Sequence, residues 1–139
     1  MRATLLLADA AQANDKVNAL GLGWNIVTSP LPPHAIVIWF FAEWHEANQP
    51  HVFKLELVDE DGNTVQLPSE NGELNTAVSI GGEFEVGRPA GLVRGTELVQ
   101  PLAVNIPQGM PLRAGRYEYR LAVNELQVAN GSFSVLAQA

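Results

Sequence analysis

Short segments that alternate apolar and polar residues recur along the chain, and turn residues rather than helical stretches separate them. Phe53, Leu55 and Leu57, for example, alternate with polar neighbours, and residues 60–63 follow as a turn. A period of two places one face of a segment on a core and the other in solvent. Strands at this spacing without helices between them predict an all-β domain of sandwich or barrel type.

The segment before Tyr117 favours a sandwich over a barrel. Residues 112–117 resemble the tyrosine corner of Greek-key sandwiches, although Ala114 stands where that motif usually has proline. We therefore predict an immunoglobulin-like Greek-key β-sandwich of about 8–9 antiparallel strands. Asn124 and Glu125 replace the Asn-Gly pair expected in its terminal hairpin, which puts a tight two-residue turn there in doubt.

The length and composition fit one domain, residues 1–139. A chain of this size buries roughly two-thirds of its unfolded surface, and 47% of its residues are hydrophobic. Cysteine is absent, which excludes disulfides, thiolate catalysis and cysteine-ligated zinc. We expect the core to be stable without a covalent or metal staple.

The charge distribution argues against two classes of partner. The formal net charge is −7, and the eight lysines and arginines are scattered singly. Nucleic acids and anionic membranes attract clustered basic residues, so we expect neither as a partner. The apolar run that precedes Asp9 is too short for a signal peptide, and no run approaches the ~20 residues of a membrane span. We expect that run to be a first strand.

The stretch Ala35–Trp44 is apolar at nearly every position, so both faces of the predicted strand need cover. Trp39 and Phe41 should point one way and Phe40 the other. The cover for the second face could be the chain's own loop at 29–33 or 87–95, a protein partner, or a stacked carbohydrate. The interface candidates are Trp39, Phe40, Phe41 and Trp44.

One acidic turn has the spacing of a calcium loop. Asp59, Asp61, Asn63 and Glu70 occupy positions 1, 3, 5 and 12 of an EF-hand count. Thr64 stands where that loop requires glycine, no helices are predicted beside it, and a hairpin turn already explains the composition. These four residues are weak candidates only, and we predict no metal and no cofactor.

Other constellations fall short of an active site. His45, Glu46 and His51 do not form an HExxH pattern or supply a third zinc ligand at definite spacing. Glu83 and Glu85 share a strand face at roughly 6–7 Å, a separation that suits glycoside hydrolysis, but exposed glutamates on a strand are usually only solvated. No serine lies in a nucleophile elbow. We expect no enzymatic activity.

Seven stretches of the chain carry a resemblance to a known family: residues 1–9, 20–24, 44–48, 50–51, 55–62, 84–89 and 115–118. Through them the chain resembles an uncharacterised family of unknown function found in actinobacteria and their phages. The resemblance implies an immunoglobulin-like β fold and brings no activity. The presence of the family in phages makes a role in the virion an expectation.

These observations favour a non-catalytic structural or interaction module that binds a protein partner or self-assembles. We expect an accessory protein of an actinobacteriophage particle, such as a capsid decoration or minor structural protein, located in the virion or the host cytoplasm. The alternative is a small-ligand or carbohydrate-binding module of an actinobacterial cell that uses Trp24, Trp39 or Trp44. The most useful observation for choosing between them is what covers residues 39–44 in the folded chain.

Overall fold

Two β-sheets pack face to face in the protein. The structure is a computed structural model, and it describes residues 1–68 and 75–137. The strands in this part of the chain are short to medium in length, and one turn of 3-10 helix spans Trp44–Glu46. In chain order the strands are β1 (Arg2–Ala8), β2 (Ala10–Ala13), β3 (Val17–Leu20), β4 (Ile26–Thr28), β5 (His34–Ala42), β6 (Pro50–Asp59), β7 (Gln66–Pro68), β8 (Asn75–Ala77), β9 (Ser79–Glu85), β10 (Leu98–Ile106), β11 (Gly115–Val123) and β12 (Leu126–Leu136).

The predicted all-β sandwich is confirmed. One sheet has the order β1-β5-β10 and the other the order β4-β12-β11-β6-β9, which together make eight strands. Two short antiparallel pairs, β2–β3 and β7–β8, raise the number of strands in the described residues above the predicted eight or nine. The prediction of antiparallel pairing needs one correction, because β4 runs parallel to β12.

The core lies between the two main sheets and is built from the inward residues of their long strands. Ile36, Ile38 and Phe40 of β5 are fully buried, as the alternation of the strand requires. Leu55 and Leu57 of β6 meet them from the opposite sheet, and both are almost completely buried. Burial of this apolar surface is the main term that stabilises the fold.

Tyr117 makes the contact that the sequence predicts for a tyrosine corner. Its hydroxyl donates a hydrogen bond to the Arg113 carbonyl over 2.8 Å, four residues upstream. Its ring stacks on Phe133 with centroids 5.7 Å apart. Ala114 in place of proline therefore does not prevent the corner from forming.

Two stretches of the chain do not form continuous strands in the structure. Residues 17–28 do not form one strand, because Gly21 and Gly23 adopt left-handed backbone angles, with φ of 61° and 94°, that break it into β3 and β4. Residues 64–67 do not return along β6 as a strand. Only Thr64 bridges Val58, and the chain then leaves to pair β7 with β8.

The terminal hairpin closes with the tight turn that the sequence left in doubt. Asn124 and Glu125 alone separate β11 from β12, and both have positive φ, 49° and 71°. Asparagine adopts this region at a lower cost than glutamate does. Asn124 also ties the turn to β6, because its side-chain oxygen accepts the Val52 amide over 3.0 Å.

Replacing Glu125 with glycine should therefore stabilise the protein. Relief of the left-handed strain stabilises the folded state by about 1–2 kcal/mol. Glycine loses more backbone freedom on folding than glutamate does, which offsets part of this term. We therefore expect the free energy of unfolding to rise by about 0.5–1 kcal/mol. Urea unfolding of the variant measures this difference. The Glu125→Ala variant is the control, since it loses the same side chain but keeps the strain. Equal stability of the two variants would contradict the account.

Candidate functional site

The apolar β5 strand is covered on its outer face by another part of the chain. Ala35 and Val37, which point away from the core, are fully buried. Ala11, Val17 and Ala19 of the β2–β3 hairpin pack over them. The cover for this half of the strand is thus the hairpin and not the loop at 29–33 or 87–95.

The four aromatic candidates on and after β5 have three different environments. Phe40 is completely buried in the core and stacks on Phe84 with centroids 4.1 Å apart, so its prediction as an interface residue is wrong. Trp39 and Phe41 point to the outer face, as predicted, and are half-buried. Trp44 lies in the 3-10 helix, also half-buried.

Beyond the hairpin the outer face of the three-stranded sheet carries apolar side chains in register. Trp39 lies between Thr4 and Pro101, and Phe41 lies between Arg2 and Val99. Val99 is 51% exposed, and Leu6, on the same face of β1, is 39% exposed. We call the group Leu6, Trp39, Phe41 and Val99 the outer-sheet patch.

A guanidinium group lies over one aromatic ring of this patch. The Arg2 guanidinium carbon is 4.0 Å from the Phe41 ring centroid, and the same group donates to the Glu97 carboxylate over 2.8 Å. Both charged side chains are well exposed. The outer-sheet patch thus has an apolar centre and one exposed charged pair at one end, and apolar centres with polar surroundings are found in protein interfaces.

Trp44 is engaged in a separate cluster. The Arg88 guanidinium carbon lies 4.7 Å from its ring centroid, and Arg88 Nη1 donates to the Trp44 carbonyl. Trp24 is also partly occupied, because its ring meets His34 and Phe133 edge to face. Each ring keeps only part of its surface for a ligand.

The residues spaced like a calcium loop, Asp59, Asp61 and Asn63, form a turn in the structure. Asp59 Oδ1 accepts the backbone amides of Asp61 and Asn63, both over 3.0 Å, which is the bonding of an Asx turn. Glu70 lies outside the described residues. The hairpin interpretation of residues 59–63 accounts for the geometry of the three described candidates.

Acidic and histidine side chains meet around the 3-10 helix. Ligand atoms of Glu43, His45 and Glu46 lie within 4.8 Å of one another. Glu46 is already engaged, because one of its oxygens accepts the Glu43 amide over 2.9 Å and the other lies 3.0 Å from the Met1 amine. Desolvation opposes ionisation, yet the Glu43 amide and the Met1 ammonium hold the pKa of Glu46 below its usual value. The Glu43 contact is that of a helix cap, and the Met1 contact is an ion pair that holds the first residue against the helix.

His51 does not join that group. It is buried, its Nε2 lies 2.7 Å from the Glu46 carbonyl, and its Nδ1 lies 3.0 Å from the Asn124 amide nitrogen. The Asn124 nitrogen can only donate, so Nδ1 accepts and Nε2 carries the hydrogen. His51 is therefore a structural link between the start of β6 and the terminal turn.

Glu83 and Glu85 are exposed on the outer face of β9, at the edge of the five-stranded sheet. They occupy alternate positions, so they share a face as predicted. Glu83 borders only a shallow, open depression over β6 and β9, and the arrangement resembles a solvated strand face.

A polar groove that the sequence did not indicate lies over β11 and β12. It has a volume of about 440 Å³ and is lined by charged and hydroxyl side chains. The Glu118 carboxylate accepts hydrogen bonds from Arg120, from Asn130 over 3.0 Å and from Ser132 over 3.4 Å. The Arg120 and Asn130 bonds lower the pKa of Glu118. Glu118 and Arg120 share a face of β11 by alternation, but only the cross-strand register, which the sequence does not display, places Asn130 and Ser132 beside them.

The two packed sheets define the protein as an all-β sandwich domain. A model of a family of unknown function, DUF6941, matches residues 3–136, and the chain belongs to this family. The match confirms the resemblance to a domain of unknown function. No curated protein matches the chain. Within the described residues, no helix has the length and apolar character to cross a membrane.

Proposed function

We propose that this protein is a non-catalytic structural or interaction module that binds a protein partner, or further copies of itself, through the outer-sheet patch. The observation that carries the proposal is the pair of half-buried aromatics, Trp39 and Phe41, on the open part of a sheet face. Aromatic side chains at the centre of an apolar patch are the usual anchors of an interface.

The surroundings of the patch support this function. Exposed Val99 and Leu6 extend the apolar area on both neighbouring strands, and the Arg2–Glu97 pair lies at one end. Only 17% of the residues are charged, below the usual level of about a quarter, which suits a surface that is partly covered in an assembly.

The particular assembly we propose is a phage particle. The support is the resemblance of the sequence to a family carried by actinobacteria and their phages, together with a sandwich fold and an acidic chain that makes nucleic acid an unsuitable partner. In this role the protein decorates a capsid or forms a minor structural component, and it occurs in the virion or the host cytoplasm.

We also propose that the sandwich is immunoglobulin-like. In support, β5 and β6 follow each other in the chain but lie in opposite sheets, and β11 and β12 form a terminal hairpin beside β6. The hydrogen bond from Tyr117 to Arg113 at the start of β11 is the corner typical of such domains.

The alternative function is binding of a small polar ligand such as a carbohydrate. The groove over β11 and β12 favours it, because Glu118, Arg120 and Ser132 offer donors and acceptors side by side. A titration of a monosaccharide and disaccharide panel followed by amide shifts of Glu118 and Arg120 tests it. A panel that shifts neither amide would rule out this site for those sugars.

Replacing Trp39 with serine tests the principal proposal. The variant should remain folded but lose self-association and incorporation into particles, because the central anchor is gone. We would measure the mass of the purified chain in solution and its abundance in particles purified from an infected actinobacterial culture. The control is Leu126→Ser, which removes a 72% exposed leucine from the terminal hairpin.

The control variant should assemble as the unchanged protein does. A strictly monomeric unchanged protein that is found in no particle would contradict the proposal, and so would normal assembly of the Trp39→Ser variant.

A further inference from the structure

The four edges of the two main sheets differ in how far they can accept another strand. In the three-stranded sheet, edge strand β10 carries Pro101, which has no amide hydrogen to offer. At edge strand β1, the Leu7 carbonyl already accepts the Gly23 amide over 2.6 Å. In the other sheet β4 has only three residues, whereas β9 has seven and its pairing in the described chain is to β6 alone.

The register shows which backbone groups of β9 face outward. Val52 pairs with Glu83, and the backbone groups of Val52 bond to Asn124 on the far side of β6. Leu57 donates to the Val78 carbonyl over 3.0 Å. Because bonding alternates along an antiparallel pair, even-numbered residues of β9 face β6. The backbone groups of Gly81, Glu83 and Glu85 therefore face the open edge.

The side chains of β9 leave room for a neighbour and define its chemistry. Gly81 and Gly82 have no side chains, and beside them a shallow depression of about 460 Å³ exposes Val52. Exposed Glu83 and Glu85 lie on one face of the strand. Ile80 and Phe84 lie half-buried on the other face, where the core reaches the edge of the sheet.

We propose that the β9 edge binds an extended segment of a partner protein in which basic and apolar residues alternate. Its backbone would add a sixth strand to the sheet through Gly81, Glu83 and Glu85. Its basic side chains would lie beside Glu83 and Glu85, and its apolar side chains beside Ile80 and Phe84. The inference rests on the proposed interaction function but uses a different surface from the outer-sheet patch.

A second copy of the chain fits this edge less well. Pairing two β9 strands would bring Glu83 and Glu85 of both copies onto one sheet face, where like charges destabilise. Each copy also has a net charge of −7. The charges of the edge therefore select a basic segment over another copy.

Two blocked synthetic peptides test the proposal: one of seven residues that alternates lysine and valine, and one that alternates glutamate and valine. Their length matches that of β9. The basic peptide should bind the full chain and shift the amide resonances of Gly81, Glu83 and Glu85, and the acidic peptide should not.

Two substitutions at one position separate the backbone contact from the charge. Glu83→Ala and Glu83→Pro both remove the carboxylate, but only the proline removes the outward amide hydrogen, without breaking a bond to β6. We expect the proline variant to bind the basic peptide about twofold to tenfold more weakly than the alanine variant, because it loses one hydrogen bond. Circular dichroism checks that both variants are folded.

No binding by either peptide, equal binding by both, equal affinities of the two variants, or a dimer that Glu83→Pro dissociates would each overturn the proposal. Trp39 is unchanged in these variants, so assembly through the outer-sheet patch is measured separately, with the Trp39→Ser variant. A failure at β9 thus leaves the proposed function standing, and a failure of Trp39→Ser leaves the peptide result interpretable.

Discussion

Replacing Phe40 with alanine is expected to lower the free energy of unfolding by about 3–5 kcal/mol, the largest effect of any single aromatic truncation in β5. The Phe40 ring is completely buried and lies over Phe84, so its removal leaves a cavity that the surrounding strands of both sheets can fill only partly. Trp39, its immediate neighbour, provides the comparison. Trp39→Ala should cost about 1–2 kcal/mol, because that side chain is only half-buried on the outer face.

Denaturant unfolding of both variants measures their losses of unfolding free energy. The dependence of the free energy on denaturant concentration should be the same in both, so that the two losses can be compared. The assembly measurement should show the opposite order: Trp39→Ala impairs binding, and a folded fraction of the Phe40 variant retains it. Similar losses of stability at the two positions would mean that both faces of β5 are core, and that the outer-sheet patch is not a free surface.

Acidification below about pH 6.5 is expected to destabilise the protein through His34. Its side chain is buried, Nδ1 lies 2.9 Å from the Pro32 carbonyl, and Nε2 lies 2.7 Å from the Tyr119 hydroxyl. Because a carbonyl can only accept, Nδ1 carries the hydrogen and Nε2 accepts the Tyr119 proton in the neutral ring. Burial raises the pKa of Tyr119, which keeps that hydroxyl a donor.

Burial lowers the pKa of His34, and the Pro32 hydrogen bond opposes this shift only in part. The unfolded chain therefore binds a proton more readily than the folded one. The His34 contribution to stability is complete above the unfolded pKa and is lost as the pH falls towards the lower folded pKa, with a slope of at most about 1.4 kcal/mol per pH unit.

The slope of unfolding free energy between about pH 7 and pH 5 measures this effect. His34→Gln should flatten the slope, whatever its cost at neutral pH. A slope that survives the loss of the His34 imidazole would assign the acid sensitivity to other groups.

The sequence predicted the sandwich well because its core strands carry period-two patterns. The inward residues of β6, Phe53, Leu55 and Leu57, and the corner at Tyr117 follow from such patterns. The prediction that Trp39 and Phe41 oppose Phe40 was confirmed for the same reason.

The cover of β5 could not be predicted, since residues 10–13 are three alanines and one glutamine and lack a distinctive pattern. Their packing over Ala35 and Val37 is a tertiary contact. The groove at Glu118 and the free edge of β9 also depend on strand order and register, which no local pattern encodes.

The most direct test of the proposed interaction function is hydroxyl-radical footprinting of the protein alone and within particles purified from an infected culture. The account predicts that modification of Trp39 and Phe41 falls strongly in the assembly, while modification of exposed Leu126 remains as it is in the isolated chain. Equal modification of Trp39 in both samples, with protection appearing elsewhere, would contradict the outer-sheet patch as the interface.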